Sequence, residues 1–537
     1  MKSWKPDFSL IPNKKNKHLL SKKLMKRLFS FAICSLIALA ANALEIPEIF
    51  GDNMILQQNT QCKLWGWAEK GNYVRIVTGW DRKEYVVKTD GEGAWKVEVQ
   101  TPAASYANYT VSFAEFQQDP TTVKGKKQEP VAVAESKDVL VGEVWFCSGQ
   151  SNMEMPLGGF WNCPVEGANE TILKARKYNN AIRCATIAKD GKQDPQKKVA
   201  GKWEKADIQT AARFSACAYY FAETLVEVLD VPVGVINCSW GGSCVEGWLP
   251  KEILLTYPDG LVPMDDTDYH AKMVMYNGML TPLAGYTIKG FLWNQGESNV
   301  GREKEYIERF STMTRHWRKL WNQPNDHLPI YTVELPAYRY GNGDGIDAAK
   351  FRAAQHRIAH ELEYSGCVCT SDLIYDHEID QIHGCKKKEI GERLAFLALT
   401  RDYGIEGLGA DAPEFEYMKE VDANADDQMV IAGTAVEKNP NAVGKVLHLY
   451  FTNSTDGFDR MAGIEGFEAQ DAEGKWHKAI VWSSSAWKNV ERQGCYLTLA
   501  CPEVKEIKNV RYCFKNFVIG NLHNSRGLPV VPFTTEK

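Results

Sequence analysis

Four short stretches carry residue types that could do chemistry. Gly149-Gln150-Ser151-Asn152 sets a serine hydroxyl just after a glycine. Trp240-Gly241-Gly242-Ser243 is a glycine turn. Asn294-Gln295-Gly296-Glu297-Ser298-Asn299 offers amides and a carboxylate, and Asp380-Gln381-Ile382-His383 offers a carboxylate and an imidazole three residues apart. Together they hold the inventory for acyl transfer. A serine hydroxyl is a weak nucleophile and needs a base within hydrogen-bond reach. His383 can take the proton, and Asp380 can fix the imidazole tautomer and stabilise its charged form. A tetrahedral intermediate needs donors aimed at its oxygen. Backbone N–H groups at Ser151 and at the Gly241-Gly242 turn are candidates, with Gln295 or Asn299 as a side-chain donor. One such donor is worth about 10²–10³ in rate. Each piece has an ordinary reading too. A serine after a strand often caps a helix, Gly-Gly is often just a turn, and Glu297 can be a buried carboxylate that holds loops. Asp376-His377 is a rival pair six residues earlier.

The weight comes from where these stretches fall. From about residue 138 to 405 apolar strands alternate with helices. "DVLVGEVWFCSG", "VGVINCSWGG", "TIKGFLWNQGES", "LPIYTVELP" and "GCVCTSDL" read as buried strands. "FSACAYYFAETLVEVLD", "EYIERFSTMTRHWRKLW", "AAKFRAAQHRIAHEL" and "KKKEIGERLAFLALTRDYG" have helical spacing. Continuous apolar strands between helices predict a parallel sheet covered on both faces. Function in such sheets gathers at the carboxyl ends of the strands, and each of the four stretches follows a strand. Gly341-Asn342-Gly343-Asp344-Gly345 is a flexible loop expected at the border of the same site.

The flanks have a different texture. Residues 44–137 alternate apolar and polar residues around glycine turns and predict a small β-sandwich. Residues 406–537 return to strands and predict a second β-rich domain. Asp90-Gly91-Glu92-Gly93-Ala94-Trp95 and Asp471-Ala472-Glu473-Gly474-Lys475-Trp476 share a spacing and should form similar hairpins.

Composition bounds the partners. The chain has 537 residues with a formal net charge of −5, so no electrostatic reason exists to expect nucleic acid. Sixteen tryptophans and 22 tyrosines suit β cores and sugar-stacking surfaces. Basic residues precede a short apolar run that ends in Ala41-Asn42-Ala43, which reads as a signal peptide over residues 1–43 and an exported protein, periplasmic or extracellular. No later segment has membrane length without charges. Of fourteen cysteines, Cys34 leaves with the signal, and the odd remainder requires at least one free thiol or an intermolecular bond. Cys147, Cys367 and Cys369 read as buried apolar groups. The absence of C-x-x-C and H-E-x-x-H gives a metal site little support.

The four blocks resemble the SGNH hydrolase superfamily and, within it, the sialate O-acetylesterase family. The likeness rests on "GEVWFCSGQSNMEMPL", "VPVGVINCSWGGSCVEGW", "KGFLWNQGESN" and "DQIHGCKKKEIGERLA", and extends to "IPEIFGDNMILQQ" and "NLHNSRGLPVVPF" in the flanks. It implies an α/β fold, a flavodoxin-like parallel-sheet hydrolase domain flanked by β-rich domains. It implies no metal or organic cofactor, and O-acetylated sialic acid as the substrate. Carried over by block, Ser151 is the nucleophile, His383 the base and Asp380 its orienter, with the Ser151 amide, Gly242 and Gln295 forming the oxyanion hole. Two departures stand out. Gly384 follows the histidine where the family has proline, which predicts a looser loop. Asn294 precedes Gln295 where the family has an aromatic, which predicts an altered acyl or sugar pocket. Alternatives are an acetylesterase for xylan or another acetylated polysaccharide, and a non-catalytic carbohydrate-binding protein.

Overall fold

Val144, Trp145, Phe146 and Cys147 are consecutive and all buried. Side chains alternate faces along a strand, so only a sheet covered on both sides accepts such a run. A computed structural model of the chain shows that sheet. It describes residues 44–122, 128–261, 264–323, 327–422, 428–429, 437–438, 445–459, 463–488 and 493–536. The signal-peptide expectation for residues 1–43 lies outside the described residues. Among the described residues no helix is long and apolar enough to cross a membrane.

The chain forms two units. Of the described residues, one comprises those within 44–46, 65–97 and 112–135; the other comprises those within 47–64, 98–111 and 136–537. The stretch 44–137 is therefore shared between the two, and the C-terminal strands belong with the parallel sheet. In the first unit Tyr73–Thr78 pairs antiparallel with Glu84–Lys88. Trp95 and Phe113 are buried there with ring centroids 5.9 Å apart.

The second unit is built on six strands: β1 (Ala132–Gly149), β2 (Ile182–Thr186), β3 (Val233–Ser239), β4 (Gly290–Asn294), β5 (Ile330–Val333) and β6 (Ser365–Val368). Their order is β6-β5-β4-β1-β3-β2, and every neighbouring pair is parallel. Trp203–Lys205 adds an antiparallel edge. The five expected strands are present. β2 is the sixth, a five-residue strand behind a polar stretch that carries no turn or periodicity signal of its own.

Helices α1 (Ser151–Glu154), α2 (Ala216–Leu229), α3 (Glu303–Trp321), α4 (Asp347–Glu361) and α5 (Lys387–Arg401) follow the strands. The alternation within β1 separates the two covers. Trp145 turns to the α2 side and meets Phe221 at 5.0 Å. Phe146 turns the other way, to Trp321 of α3 at 5.1 Å and Phe291 of β4 at 6.0 Å. Trp317 completes that second layer against Phe291 and Trp293, each at 5.6 Å.

The C-terminal strands form two antiparallel sheets. One runs Glu414–Asp422, Lys445–Thr452, Gln493–Ala500, Ile480–Lys488; the other runs Trp476–Lys478, Phe467–Gln470, Asn509–Tyr512, Phe533–Thr534. The two Asp-x-x-Gly turns match in detail. Asp90 Oδ1 accepts from the N–H groups of Glu92 and Ala94, and Asp471 Oδ1 from those of Glu473 and Lys475.

Trp317 is buried among five aromatic rings, Phe146, Trp248, Phe291, Trp293 and Trp321, so Trp317→Ala leaves a cavity that rigid neighbours cannot fill. The expected cost is about 3–5 kcal/mol, read as a lowered denaturant midpoint with the far-UV spectrum unchanged.

Candidate active site

β3 and β4 end level with β1: Ser239 and Asn294 both stand opposite Gly149. The chain crosses closely there. The Gln150 N–H donates to the Asn294 carbonyl at 3.0 Å, and the Trp240 N–H to the Gly149 carbonyl at 3.0 Å. Gly149 has φ +136°, and a Cβ on it would overlap the Asn294 oxygen. Only glycine ends the strand this way. Ser151 then opens α1, half-buried, beside the Gly241-Gly242 turn; a Cβ on Gly241 would lie 3.3 Å from Ser151 Cβ.

The turn's two amides differ. The Gly241 N–H donates to Glu154 Oε2 at 2.6 Å, and Lys189 holds the other carboxylate oxygen at 2.8 Å. The Gly242 N–H has no acceptor among the described residues, and neither does the Ser151 N–H or the Ser151 hydroxyl. Gly242 has φ +82°, with the Tyr269 ring directly over it; a Cβ would come within 2.5 Å of that ring.

Asn152, 2% exposed, ties three strand ends together. Its Nδ2 donates to Glu297 Oε1 and, at 3.1 Å, to the Ile382 carbonyl. Its Oδ1 accepts from Lys387 Nζ at 2.6 Å. Burial raises the Glu297 pKa and lowers that of Lys387. Glu297 is thus a buried carboxylate holding loops, with Oε2 left without a partner among the described residues.

The Ile382 bond sets His383 near the serine turn. Glu378 closes the histidine loop, taking the N–H of Tyr375 at 2.9 Å and that of Cys385 at 3.0 Å. The expected looseness at Gly384 is therefore not observed: Gly384 is buried against Ile374. His383 Nδ1 lies 3.7 Å from Cys163 Sγ, and Phe160 stands edge-on to the imidazole at 5.3 Å. His383 Nε2 is buried and makes no hydrogen bond among the described residues. Burial, reinforced by the positive charge of Lys387, brings the His383 pKa down to about 4.

Two assigned residues are not brought to the centre. Asp380 is 62% exposed and pairs with Arg339 at 2.6 Å; no hydrogen bond joins it to His383. The long Arg339 guanidinium, from the strand-end loop after β5, captures the carboxylate. Gln295 spends both amide hydrogens inward, on the Ser243 carbonyl at 3.0 Å and Asn299 Oδ1 at 2.8 Å. Asn299 in turn donates to Glu246 at 3.0 Å, and Arg302 and Arg309 neutralise that buried carboxylate. Gln295 and Asn299 thus brace the loop in this geometry. Asn294 also points inward, toward Cys217 Sγ at 3.9 Å, and not into a pocket. The rival Asp376 and His377 are both exposed, with His377 stacked on Tyr375.

Just before the Gly341–Gly345 loop, the Arg339 N–H donates to the Ile379 carbonyl at 3.2 Å. The loop is tied down by Asn516, whose N–H donates to the Gly345 carbonyl at 2.6 Å. All thirteen described cysteines are free thiols; Cys147 and Cys369 are buried and Cys367 is half-buried. One described group has metal-ligand atoms within 4.8 Å of one another: Glu334, His356 and Cys369. Its members already satisfy each other, with His356 Nε2 2.6 Å from Glu334 Oε2.

Residues 141–400 match the family model described as carbohydrate esterase, sialic acid-specific acetylesterase. This segment is similar to that family. The matched segment contains Ser151, Gly242, Gln295, Asp380 and His383. The sialate O-acetylesterase of Homo sapiens is 30% identical over 301 residues, covering 51% of this chain and 56% of that protein. The Mus musculus enzyme is 24% identical over 323 residues, 51% of this chain and 59% of that protein. The chain thus spans just over half the length of these relatives. A crystal structure described as a novel carbohydrate acetylesterase from Xanthomonas citri is similar over 92% of this chain and all of that one. Its TM-score is 0.74 and its identity 26%.

Lys387, Phe160 and Cys163 carry no role in the sequence reading. Lys387 had a signal: with Ile390, Gly391 and Leu394 it lies on the buried stripe of α5. An NMR titration of His383, assigned with His383→Gln, should have its midpoint near pH 4. Lys387→Met removes the opposing charge and should raise it. Because the folded state holds the imidazole neutral, this group's contribution to stability is present above the unfolded pKa of about 6.5. It declines as pH falls from there toward 4.

Proposed function

We propose that the protein is an exported serine esterase that removes acetyl groups from sialic acid hydroxyls through an acetyl-enzyme. The observation that carries this reading is Asn152, which joins the residue after Ser151 to the carbonyl of the residue before His383. The nucleophile and base loops are thereby fastened to each other. His383, held neutral by its surroundings, is ready to accept a proton at neutral pH.

In the reaction His383 Nε2 takes the proton of Ser151 Oγ as that oxygen attacks the acetyl carbonyl. The developing oxyanion is received by the N–H groups of Ser151 and Gly242, both without acceptors. The imidazolium returns the proton to the departing sugar oxygen. Water, deprotonated by the same imidazole, then cleaves the acetyl-serine to acetate. Asp380 orients His383 in the reacting state by exchanging Arg339 for the imidazole Nδ1, whose nearest polar neighbour at rest is the Cys163 thiol at 3.7 Å. The substrate class is supported by the match of residues 141–400 to a sialic acid-specific acetylesterase model and by the similarity to relatives named sialate O-acetylesterase. Xylan and other acetylated polysaccharides are the second reading, compatible with the similarity to the Xanthomonas citri carbohydrate acetylesterase.

Acetate release from O-acetylated sialic acid and from acetylated xylan, measured side by side, tests the assignment. Release should be greater from the sialic acid and absent in Ser151→Ala. Greater release from xylan keeps the chemistry and replaces the substrate. Asp380→Asn should slow the reaction by about 10⁴, the cost of a wrong tautomer, while Arg339→Ala should not slow it. If Asp376→Asn is the crippling change instead, the rival pair orients the base.

A further inference from the structure

Trp161 is the most exposed large apolar side chain among the described residues, at 89%. Tryptophan is on average well buried, so an indole left in water on a tight turn asks for a reason. The turn is rigid. Phe160 and Cys163 exchange both backbone hydrogen bonds, each 3.0 Å. Gly159, at φ +78°, and Asn162, at φ +58°, supply its left-handed positions.

The turn is also fastened to the histidine loop. Gln381 Nε2 donates to the Asn162 carbonyl at 3.2 Å, Cys163 Sγ donates to Gln381 Oε1 at 3.3 Å, and the Phe160 ring packs edge-on to His383. The residues on either side of Trp161 thus face the base loop while its own ring faces solvent. On the other side of the serine, Tyr269, 45% exposed, lies over the Gly242 amide. Two exposed aromatic residues thus sit on segments next to the serine and histidine: Trp161 on the turn bonded to the histidine loop, and Tyr269 against Gly242.

We propose that Trp161 is the specificity-determining residue that stacks on the pyranose ring carrying the acetyl group. This rests on the esterase reading above. The C–H bonds on one face of a pyranose carry partial positive charge and form a flat apolar patch. The indole face is apolar and electron-rich, so the two surfaces match. The backbone that carries the indole is already fixed to the histidine loop, so binding orders only the side-chain torsions of Trp161.

The test has two arms. In Ser151→Ala, which cannot turn over, binding of O-acetylated sialic acid and of acetylated xylo-oligosaccharide is measured by calorimetry, then repeated with Trp161→Ala added. At least a tenfold loss of affinity for the sugar that binds supports the proposal, and Trp161→Phe should restore most of it. Equal binding by both proteins, or no binding of either sugar by Ser151→Ala, overturns it. In the active enzyme Trp161→Ala should raise KM for the acetylated sugar about tenfold with kcat within twofold; equal loss in both parameters overturns the stacking role. Ser151-dependent hydrolysis of 4-nitrophenyl acetate, measured on the wild type, separately decides the esterase reading.

Discussion

A buried primary amide must place two donor hydrogens and an acceptor oxygen, and leaving any of them unmade costs about 1–3 kcal/mol. Asn152 meets all three demands with groups from distant parts of the chain: Glu297 after β4, the Ile382 carbonyl in the histidine loop and Lys387 at the start of α5. Glu297 and Lys387 are themselves buried charges of opposite sign, tolerable in that setting because the amide stands between them. The arrangement is over-determined, since moving any one loop strands a polar group in the others. It is why a half-buried serine and a half-buried histidine, far apart in sequence, share one corner of the sheet.

The strand ends supply the frame for that amide. Gly149 lets β1 stop against β4 without a side chain in the way, so the serine emerges at the height of the Gly241-Gly242 turn. Glu154 occupies one of the turn's amides and leaves the other, Gly242, open. The same short helix thereby carries Ser151 and settles which of the turn's two amides stays open.

Much of this was legible in the chain. The buried strands betrayed themselves by continuous apolar runs, and the corners by glycines next to Ser151, Gly242 and Glu297. β2 escaped because five residues without turn signals look like many loops. The resting partners of Asp380 and Gln295 escaped for a different reason. Both compete among several groups within reach, and the winners, Arg339 and the Ser243–Asn299 pair, come from segments whose spatial neighbourhood no local pattern encodes. Trp161 escaped because nothing in a string of letters distinguishes a buried tryptophan from a solvated one.

The segment from Asn516 to Val531 has an architectural consequence. His523 joins Arg393 in holding Asp372, which those bonds bring to a pKa of about 2 against the opposing effect of burial. Gly520 donates to the Ser371 carbonyl at 2.8 Å, and Asn516 fastens the loop that carries Arg339 toward the histidine. These last strands and turns are thus stitched to the loops on either side of the His383 segment. Domain shuffling is closed to these C-terminal strands: exchanging them for another module would unpick the loops that carry Arg339 and Asp372.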